Sequence, residues 1–355
     1  MDRSSPRQDS LDLAAEPHSS ADAWTLGRSK LSGGAPAGGA SDIAPIRRCV
    51  NAREEHSDNR AAVVLVAYGE ADEDIERVLD QLGSLEDQVA GIYLVANNPD
   101  RPLTGFANRA TVLKPERNLG YAAGANLAAK RALEDGYTRA LLLNLDIHLI
   151  GSNLLNRLSE PFLRNSDCGF VSPTIVYWPD QSTIWYRGGR LYLPAWLTRH
   201  PGIGQPVCNT GTASRTDFFS GCCALVDLPT FERLGGYCED LFMYYEEADL
   251  SFRAKALGKY AYHLDFALIA HSKDGRKLDA LEAYQHARNA RLLLHKHQSG
   301  YGRILGRAIQ FAASPLQLLR ASNPYAALCY VKGLLGSRNA SISRMVTLRV
   351  KEHPK

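Results

Sequence analysis

The chain has 355 residues, a formal net charge of +3 and a hydrophobic fraction of 45%, which is typical of a soluble globular protein with one large domain. No run approaches the roughly 20 apolar residues of a membrane span, and the polar N-terminus is unlike a secretory signal. The seven cysteines form no CxxC pair, so we predict reduced thiols and a cytoplasmic protein.

Residues 1–58 are rich in Ser, Ala, Gly, Pro and charge, with few large apolar side chains. Such a segment buries too little surface to offset its ordering entropy, so we predict that it is disordered. We divide the rest into a first half over 59–150, a second half over 151–277, and a helical, basic C-terminal region over 278–355.

Strands and helices are predicted to alternate in the first half. Continuous apolar runs predict buried strands over Ala61–Tyr68, Ile92–Ala96, Thr111–Leu113 and Ala140–Leu145. Helices are predicted from Ile75 to Leu85 and from Gly120 to Leu133. This alternation indicates an α/β fold with a mostly parallel central sheet and helices on both faces. After Ile150 the pattern is less regular.

Polar residues at the strand ends are the first candidates for a site, because open α/β sheets bind ligands beyond the carboxyl ends of their strands. The relevant segments are Ala67-Tyr68-Gly69, Ala96-Asn97-Asn98 and Asn144-Leu145-Asp146. Asp146 is placed to bind a hard divalent cation, which often uses one or two carboxylates plus substrate phosphates. A turn or helix cap would explain this aspartate equally well.

The segment Asn118–Asn126 opens a predicted helix with two glycines, Gly120 and Gly124. Glycine lets a ligand approach the backbone, and a helix N-terminus favours phosphate. The spacing is neither the dinucleotide-binding GxGxxG nor a P-loop. Close packing of the helix on the sheet is the alternative explanation.

Three acids, Glu246, Glu247 and Asp249, begin another predicted helix, which also contains Arg253. Acids in a first turn stabilise a helix through its macrodipole. Crowded carboxylates also raise one another's pKa, which suits a general base. His271 ends a predicted strand, where it could be structural or a metal ligand.

Four stretches together resemble family 2 of the glycosyltransferases, in particular its rhamnosyltransferase-like branch. They are Asn118–Asn126, Leu141–Ile147, Phe218–Val226 and Phe231–Arg253. The last two are similar to the family's run SG…LV…F…GGF…F…Y.ED.DL..R, with Gly235-Gly236-Tyr237 in the glycine-glycine-aromatic place. The resemblance covers about Ala61 to Asn289.

This resemblance implies a GT-A fold, with a nucleotide-binding half followed by an acceptor half, and sugar transfer with inversion. It implies that Asp146 and His271 bind Mg²⁺ or Mn²⁺, and that Asn144 is the other polar position of an Asp-X-Asp-like motif. Glu247 matches the catalytic base, and Asp249 and Arg253 match residues that support the base and shape the acceptor pocket.

The resemblance also implies two substrates, a nucleotide-diphosphate sugar, with rhamnose in this branch, and a saccharide or lipid-linked saccharide acceptor in polysaccharide biosynthesis. The residues expected to bind the nucleotide sugar are Ala67, Tyr68, Asn97, Asn98, Asn118, Gly120, Tyr121, Gly124, Asn126 and Asn144. The residues expected on the acceptor side are Ser220, Gly221, Glu246 and Arg253.

Three positions depart from the family's pattern. Ala96 stands where the family commonly has a nucleobase-contacting Asp, and Gly69 stands where it has Asn. Nucleobase recognition would then fall to Asn97, Asn98 or the backbone, or be weaker. Glu247 replaces the usual Asp and lengthens the base by one methylene.

Two other functions fit parts of the sequence. A non-catalytic nucleotide-sugar-binding module would explain Ala96 and Gly69, but it would not need Asp146, Glu247 and His271 together. A nucleotidyltransferase usually has a basic Gly-rich loop after its first strand, whereas Tyr68–Asp74 is acidic. Nucleic-acid binding is not expected, because the excess basic residues are confined to the C-terminus.

The C-terminal basic residues are interspersed with apolar ones. From Tyr301 onward there are nine Lys or Arg and one acid, Glu352. The apolar residues among them include Ile304, Leu305, Ile309, Phe311, Leu316, Leu318 and Leu319. The segment is either a packed helix with a solvated face or a peripheral contact with the inner face of an anionic membrane.

Overall fold

The computed structural model describes residues 61–85, 87–151, 153–272 and 277–336. The segment 1–58, for which we predict disorder, and the chain from residue 337 lie outside the described residues. Within the described ranges, strands and helices alternate as far as β4: β1 (Ala61–Ala67), α1 (Asp72–Gly83), β2 (Val89–Ala96), β3 (Thr111–Leu113), α2 (Gly120–Glu134) and β4 (Arg139–Leu143).

Shorter strands dominate the next part of the chain. The elements are β5 (Ile147–Leu149), α3 (Leu154–Arg164), β6 (Cys168–Tyr177), β7 (Ile184–Tyr186), β8 (Arg190–Tyr192), β9 (Leu197–Arg199), β10 (Ala213–Thr216), β11 (Cys223–Asp227), α4 (Leu228–Arg233), α5 (Glu246–Ala254) and β12 (Tyr260–His271). Three helices then follow, α6 (Ala280–His297), α7 (Gly300–Leu318) and α8 (Pro324–Leu335).

The central layer is a ten-stranded sheet in the order β10-β12-β6-β11-β4-β1-β2-β3, with β5 on β12 and β7 on β6. The strands β1 to β4 are mutually parallel, as are β6 and β12. Between these groups β11 runs antiparallel to both of its neighbours, β4 and β6. The predicted α/β fold is confirmed, with this one central strand reversed.

Apolar residues on both faces of β1 and β4 explain why helices cover the sheet on both sides. On one side Val63 and Leu65 share a core with Ile75 of α1. On the other side Ala62 and Val64 pack with the alanines of α2. Because alanine is small, α2 lies close to the sheet, and Gly124 allows that approach: a Cβ there would be 3.0 Å from Val66 Cγ1.

The C-terminal helices begin at well-defined caps. Asp279 accepts a hydrogen bond from the Glu282 amide, 2.8 Å, and Glu282 accepts one from the Asp279 amide, 3.1 Å, which together form a capping box at α6. Asn323 caps α8 by accepting from the Ala326 amide, 2.9 Å. Among the described residues, no helix combines the length and apolar content that crossing a bilayer demands.

Candidate active site

Asp146 and His271 are brought together by strand pairing. Asp146 follows β4, and the next residues form β5, which pairs with the end of β12 so that Ile147 lies opposite His271. The Asp146 Oδ2 atom is 3.4 Å from His271 Nε2. Two side chains that are 125 positions apart by number therefore share one end of the sheet.

Arg77 of α1 fixes the segment that carries Asp146. Its guanidinium donates to the Leu145 carbonyl oxygen at 2.9 Å and also to the Ile147 carbonyl oxygen, on either side of the aspartate. The sequence analysis missed this residue. A helical arginine near acids is indistinguishable by sequence from an ordinary surface residue, so no local signal identifies it.

The chemistry of this pair suits a divalent ion. A carboxylate oxygen and an imidazole nitrogen bonded to one ion at about 2.1 Å would be about 3.0–3.4 Å apart, for angles from 90° to tetrahedral, and the observed separation is 3.4 Å. Within the described ranges, no group of three or more His, Cys, Asp or Glu side chains is arranged to hold a metal. Substrate phosphates would have to supply further ligands, as they do at many magnesium sites.

Glu247 lies in the first turn of α5, after two residues with left-handed backbone, Tyr244 (φ 68°) and Tyr245 (φ 75°). Its Oε1 atom accepts a hydrogen bond from the Gly221 amide at 2.9 Å. Burial raises the pKa of Glu247 to about 7, against the lowering effect of hydrogen bonds from its own amide and from that of Gly221. This carboxyl group is therefore adjusted to exchange protons near neutral pH.

Glu246 is the buried neighbour of Glu247, and only 3% of its surface is exposed. Burial raises its pKa well above the ordinary value, and the charge of Glu247 raises it further. Two adjacent carboxyl groups in one apolar setting disfavour double ionisation. The pair therefore favours a single negative charge over two.

The Cys222 thiol is buried, and the charges of both Asp146 and Glu247 act on it. Burial raises the pKa of Cys222, and the nearby charges of Asp146 and Glu247 both raise it further. The backbone adds a direct link, because the Asn144 amide donates to the Cys222 carbonyl oxygen at 3.0 Å. Asp146, His271 and Glu247 thus converge on one region at the end of β4.

Asp249 lies in a buried ionic network. Its Oδ2 atom accepts from Arg253 Nε at 2.7 Å, and its Oδ1 atom is 2.7 Å from His297 Nε2 at the end of α6. Burial would raise its pKa, but the His297 hydrogen bond and the Arg253 charge outweigh this effect and lower it. Arg253 also donates to the carbonyl oxygens of Leu234 and Gly236. Both residues anchor α5, which carries Glu247.

Asn97 and Asn118 shape the loop that leads into α2. The Asn97 side chain is buried, donates to Asn118 Oδ1 at 3.1 Å and accepts from the Leu119 amide at 2.9 Å. Gly120 has a φ of +76°, and a Cβ there would be 2.5 Å from the Phe242 carbonyl oxygen. The amide of Asn97 is thus occupied in positioning this loop.

Asn126 and Tyr121 connect α2 to the second half of the chain. Asn126 accepts from the Tyr237 amide at 2.8 Å and donates to the Tyr237 carbonyl oxygen at 3.0 Å. The Tyr121 hydroxyl donates to the Gly221 carbonyl oxygen at 2.9 Å. Tyr121 therefore supports the same glycine whose amide binds Glu247.

The remaining predicted residues lie at strand ends and in turns. The Tyr68 amide, which follows Ala67 at the end of β1, donates to Glu70 Oε2 at 2.7 Å. Asn98 accepts from the Asp100 amide at 3.1 Å in the turn after β2. Ser220 is buried, and its amide donates to Ser172 Oγ at 2.9 Å.

Two tryptophans contact His271 or its neighbours, and the sequence analysis missed them. The Trp185 ring stacks on the His271 ring, with centroids 4.4 Å apart. The Trp178 amide donates to the His271 carbonyl oxygen at 2.9 Å, and its ring stacks on His148 with centroids 3.9 Å apart. Three tryptophans occur between Trp178 and Trp196, and this local enrichment was the available signal.

Comparisons with known proteins place this fold in a class. In a solved complex of GalNAc-T7 with UDP, GalNAc and Mn²⁺, the chain aligns with a TM-score of 0.55 at 13% identity, over 82% of this chain and 57% of that one. The chain thus spans little more than half of that protein. The likeness shows the fold, which is the GT-A fold of glycosyltransferases.

More distant matches include a mannosyltransferase of Pyrobaculum calidifontis in complex with GDP-Man and Mn²⁺ (TM-score 0.47, 16% identity, 82% of this chain and 80% of that one) and TarS 1–349 of S. aureus (TM-score 0.48, 13% identity, 82% of both chains). No family model matches. Uncharacterized proteins of Mycobacterium tuberculosis (Rv1525) and Mycobacterium bovis (Mb1552) are each 28% identical over 197 residues, 55% of this chain and 68% of theirs.

Proposed function

We propose that this protein transfers a sugar from a nucleotide-diphosphate sugar to a hydroxyl group of a saccharide or lipid-linked saccharide, with inversion at the anomeric carbon. The observation that carries the proposal is the convergence of Glu247 with Asp146 and His271 around Cys222, on a GT-A fold. A base and a site for the donor's diphosphate are the two elements that such a displacement needs.

In this reaction the Glu247 carboxylate accepts the proton of the acceptor hydroxyl as its oxygen attacks the anomeric carbon. The bond from that carbon to the diphosphate breaks, and the sugar is bonded on the opposite face. The Gly221 amide orients the Glu247 carboxylate. The burial of Glu246 disfavours a second negative charge beside Glu247, so the two carboxyl groups would share one charge.

Asp146 and His271 would hold Mg²⁺ or Mn²⁺, and the bound ion would supply charge neutralisation for the departing diphosphate. Trp185 keeps the His271 ring in place by stacking. Arg77 keeps Asp146 in place through the two flanking carbonyl groups. These supports pre-organise the pair before a donor binds.

The first experiment replaces Glu247 with Gln. We expect transfer to fall by about 10²–10⁴-fold, because the base is lost, while titration with nucleotide sugars in the presence of Mn²⁺ shows unchanged donor affinity. Glu232→Gln, at an exposed glutamate of α4, is the matched control. Unchanged transfer in Glu247→Gln would remove this residue from the mechanism.

The wild-type protein and Glu247→Gln also test the pH dependence of transfer and of stability. Since the base must be ionised, kcat/KM of the wild-type protein should rise as pH increases through about 7.

The raised pKa of Glu247 means that the folded state binds the proton more tightly than the unfolded state does. Glu247 therefore contributes its full stabilisation below the ordinary pKa of glutamate, and this contribution is lost as pH rises through about 7. In urea unfolding, the free energy of unfolding of Glu247→Gln should not show this loss.

A rhamnosyl donor is the narrower proposal, and it rests on the family resemblance. A screen of nucleotide sugars should show the largest metal-dependent rise in melting temperature with the thymidine-diphosphate derivative of rhamnose, because ligands that bind only the folded state stabilise it. A larger rise in melting temperature with another sugar nucleotide would identify that sugar nucleotide as the donor instead.

Metal-dependent hydrolysis of the donor would distinguish an enzyme from a non-catalytic nucleotide-sugar-binding module.

We also propose peripheral contact between the C-terminal helices and an anionic membrane. Four strongly exposed apolar residues on α7 and its end are separated by 3, 12 and 3 positions: Tyr301 (78% exposed), Ile304 (70%), Leu316 (69%) and Leu319 (80%). At about 100° per residue, such spacing places them on one face of the helix. An amphipathic helix of this kind binds at the headgroup boundary.

A further inference from the structure

A large cavity lies between the β7–β9 region and the C-terminal helices. Its volume is about 1020 Å³, which is large for a small-molecule site. One wall includes Trp178 and Arg199, and the opposite wall includes Gln310 of α7, Arg320 after α7 and Tyr330 of α8. It is separate from the segment Asn118–Asn126 that we assign to the donor.

The cavity adjoins both parts of the proposed catalytic site. Tyr177 lines it and is the strand partner of His271 in the pairing of β6 with β12. Tyr245 also lines it and immediately precedes Glu246 and Glu247 of α5. The cavity wall is therefore continuous in the chain with the elements that carry His271 and Glu247.

The cavity is lined by an excess of positive charge. Within the described part of the chain, neither the Arg199 nor the Arg320 guanidinium pairs with a carboxylate. The side-chain hydrogen bond of Arg320 there is to Gln317 Oε1, at 3.3 Å. The carboxylate among the lining residues, Asp180, accepts from Ser182 Oγ at 2.5 Å within its own loop. Arginine is the side chain best suited to bind phosphate or carboxylate groups.

The charge of Arg320 reaches into the cavity. Burial lowers the pKa of His200 to about 4, and the nearby Arg320 guanidinium adds to that lowering. Burial raises the pKa of Tyr245, whereas the Arg320 charge opposes this rise. His200 and Tyr245 both line the cavity, so Arg320 acts on its interior.

We propose that this cavity binds the anionic part of the acceptor, a phosphate, diphosphate or carboxylate group attached to the sugar that is glycosylated, with Arg199 and Arg320 as its ligands. The inference rests on the proposed function, because it assigns the acceptor of that reaction. The aromatic walls would stack against the sugar or against an apolar chain.

The test measures binding of three soluble probes by tryptophan fluorescence and calorimetry, since Trp178 lines the cavity. The probes are geranyl diphosphate, methyl glucuronide and the neutral octyl glucoside. We expect an anionic probe to bind the wild-type protein more tightly than octyl glucoside does. Tighter binding of geranyl diphosphate supports a lipid-linked diphosphate acceptor, and tighter binding of the glucuronide supports an acidic saccharide.

Arg199→Gln and Arg320→Gln should each weaken binding of the preferred anion by about tenfold or more, because each removes a charged hydrogen-bond donor. The matched control is Arg190→Gln, because Arg190 is the strand partner of Arg199 and lies outside the cavity lining. The affinity of this variant for the anion should change by less than about twofold. Arg320→Lys should restore part of the affinity, because it keeps the charge.

Equal affinity in the wild-type protein and both Gln variants, or preference for octyl glucoside, would overturn the inference. Donor binding is measured in parallel with nucleotide sugars and Mn²⁺. Failure of the wild-type protein to bind any nucleotide sugar would count against the proposed function, whatever the anion results. Intact donor binding with unaltered anion binding in the Gln variants would count against the cavity assignment alone.

Discussion

Gly221 has no room for a side chain, because the Glu247 carboxylate lies against its backbone. A Cβ at this position would be 2.2 Å from Glu247 Oε1, so alanine would force the carboxylate away from its amide donor. Moving a catalytic group out of its working position lowers the reaction rate by up to about 100-fold. The absence of a side chain here is required by the position of the base.

We therefore expect Gly221→Ala to lower kcat for sugar transfer by about 10–100-fold with little change in donor affinity. Gly105→Ala is the matched control, because a Cβ there meets nothing within 4 Å. Steady-state kinetics of both variants check this expectation. If Gly221→Ala transferred sugar as fast as Gly105→Ala, the contact between Gly221 and Glu247 would have no role in catalysis.

At the scale of elements, α1 is hydrogen-bonded to the segment that carries Asp146, the proposed metal ligand. Arg77 is the link, because it donates to carbonyl oxygens on both sides of Asp146. A supporting group of this kind typically changes metal affinity by about 10–100-fold when it is removed. The helix thus contributes to the site without supplying a ligand.

Arg77→Met should weaken the apparent affinity for Mn²⁺ by about tenfold, measured as the Mn²⁺ dependence of donor binding, while the pH profile of transfer keeps its shape. Arg109→Met is the control, since Arg109 forms an ion pair with exposed Asp80 of α1 and lies outside the site. Equal Mn²⁺ dependence in both variants would show that Arg77 does not position Asp146.

The elements of the first half could be predicted from sequence because each is a simple pattern. The predicted strand over Thr111–Leu113 is confirmed, and the helix predicted over Gly120–Leu133 ends one residue later. The reversal of β11 could not be predicted, because an apolar run has the same composition in either direction. Contacts such as that of Arg77 with the carbonyl oxygens beside Asp146 depend on tertiary packing, which a local pattern does not encode.

The candidate site was only partly accessible from sequence. The proximity of Asp146 and His271 follows from strand ends, which parallel topology places at one edge. The inward, hydrogen-bonded amide of Asn97 could not be anticipated, because an asparagine after a strand is equally suited to a ligand or to a loop.

At the scale of the whole molecule, α7 has two different faces. Gln310 is buried on one face and donates to the Ala195 carbonyl oxygen at 2.8 Å. Ile304 and Leu316 are exposed on the other. If that exposed face binds a membrane, substituting acids for these residues should abolish the contact without disturbing the cavity side.

We expect the double variant Ile304→Glu, Leu316→Glu to sediment with vesicles of phosphatidylcholine and phosphatidylglycerol at least about tenfold less than the wild-type protein, because two apolar anchors are lost. Leu163→Glu, at a residue of α3 that is 71% exposed, is the matched control and should bind normally. Equal loss in both, or in neither, would argue against α7 as the contact surface.

The reversed strand β11 has a mechanical consequence. Because it runs against β4, it begins where β4 ends, so Gly221 and Cys222 lie near Asn144, whose amide donates to the Cys222 carbonyl oxygen. The hydrogen bonds of the sheet thus set the distance between Gly221, which binds the Glu247 carboxylate, and the end of β4, which leads to Asp146. Under the proposed function, a closure of the protein on its substrates would leave this distance unchanged, since changing it would require breaking strand pairs.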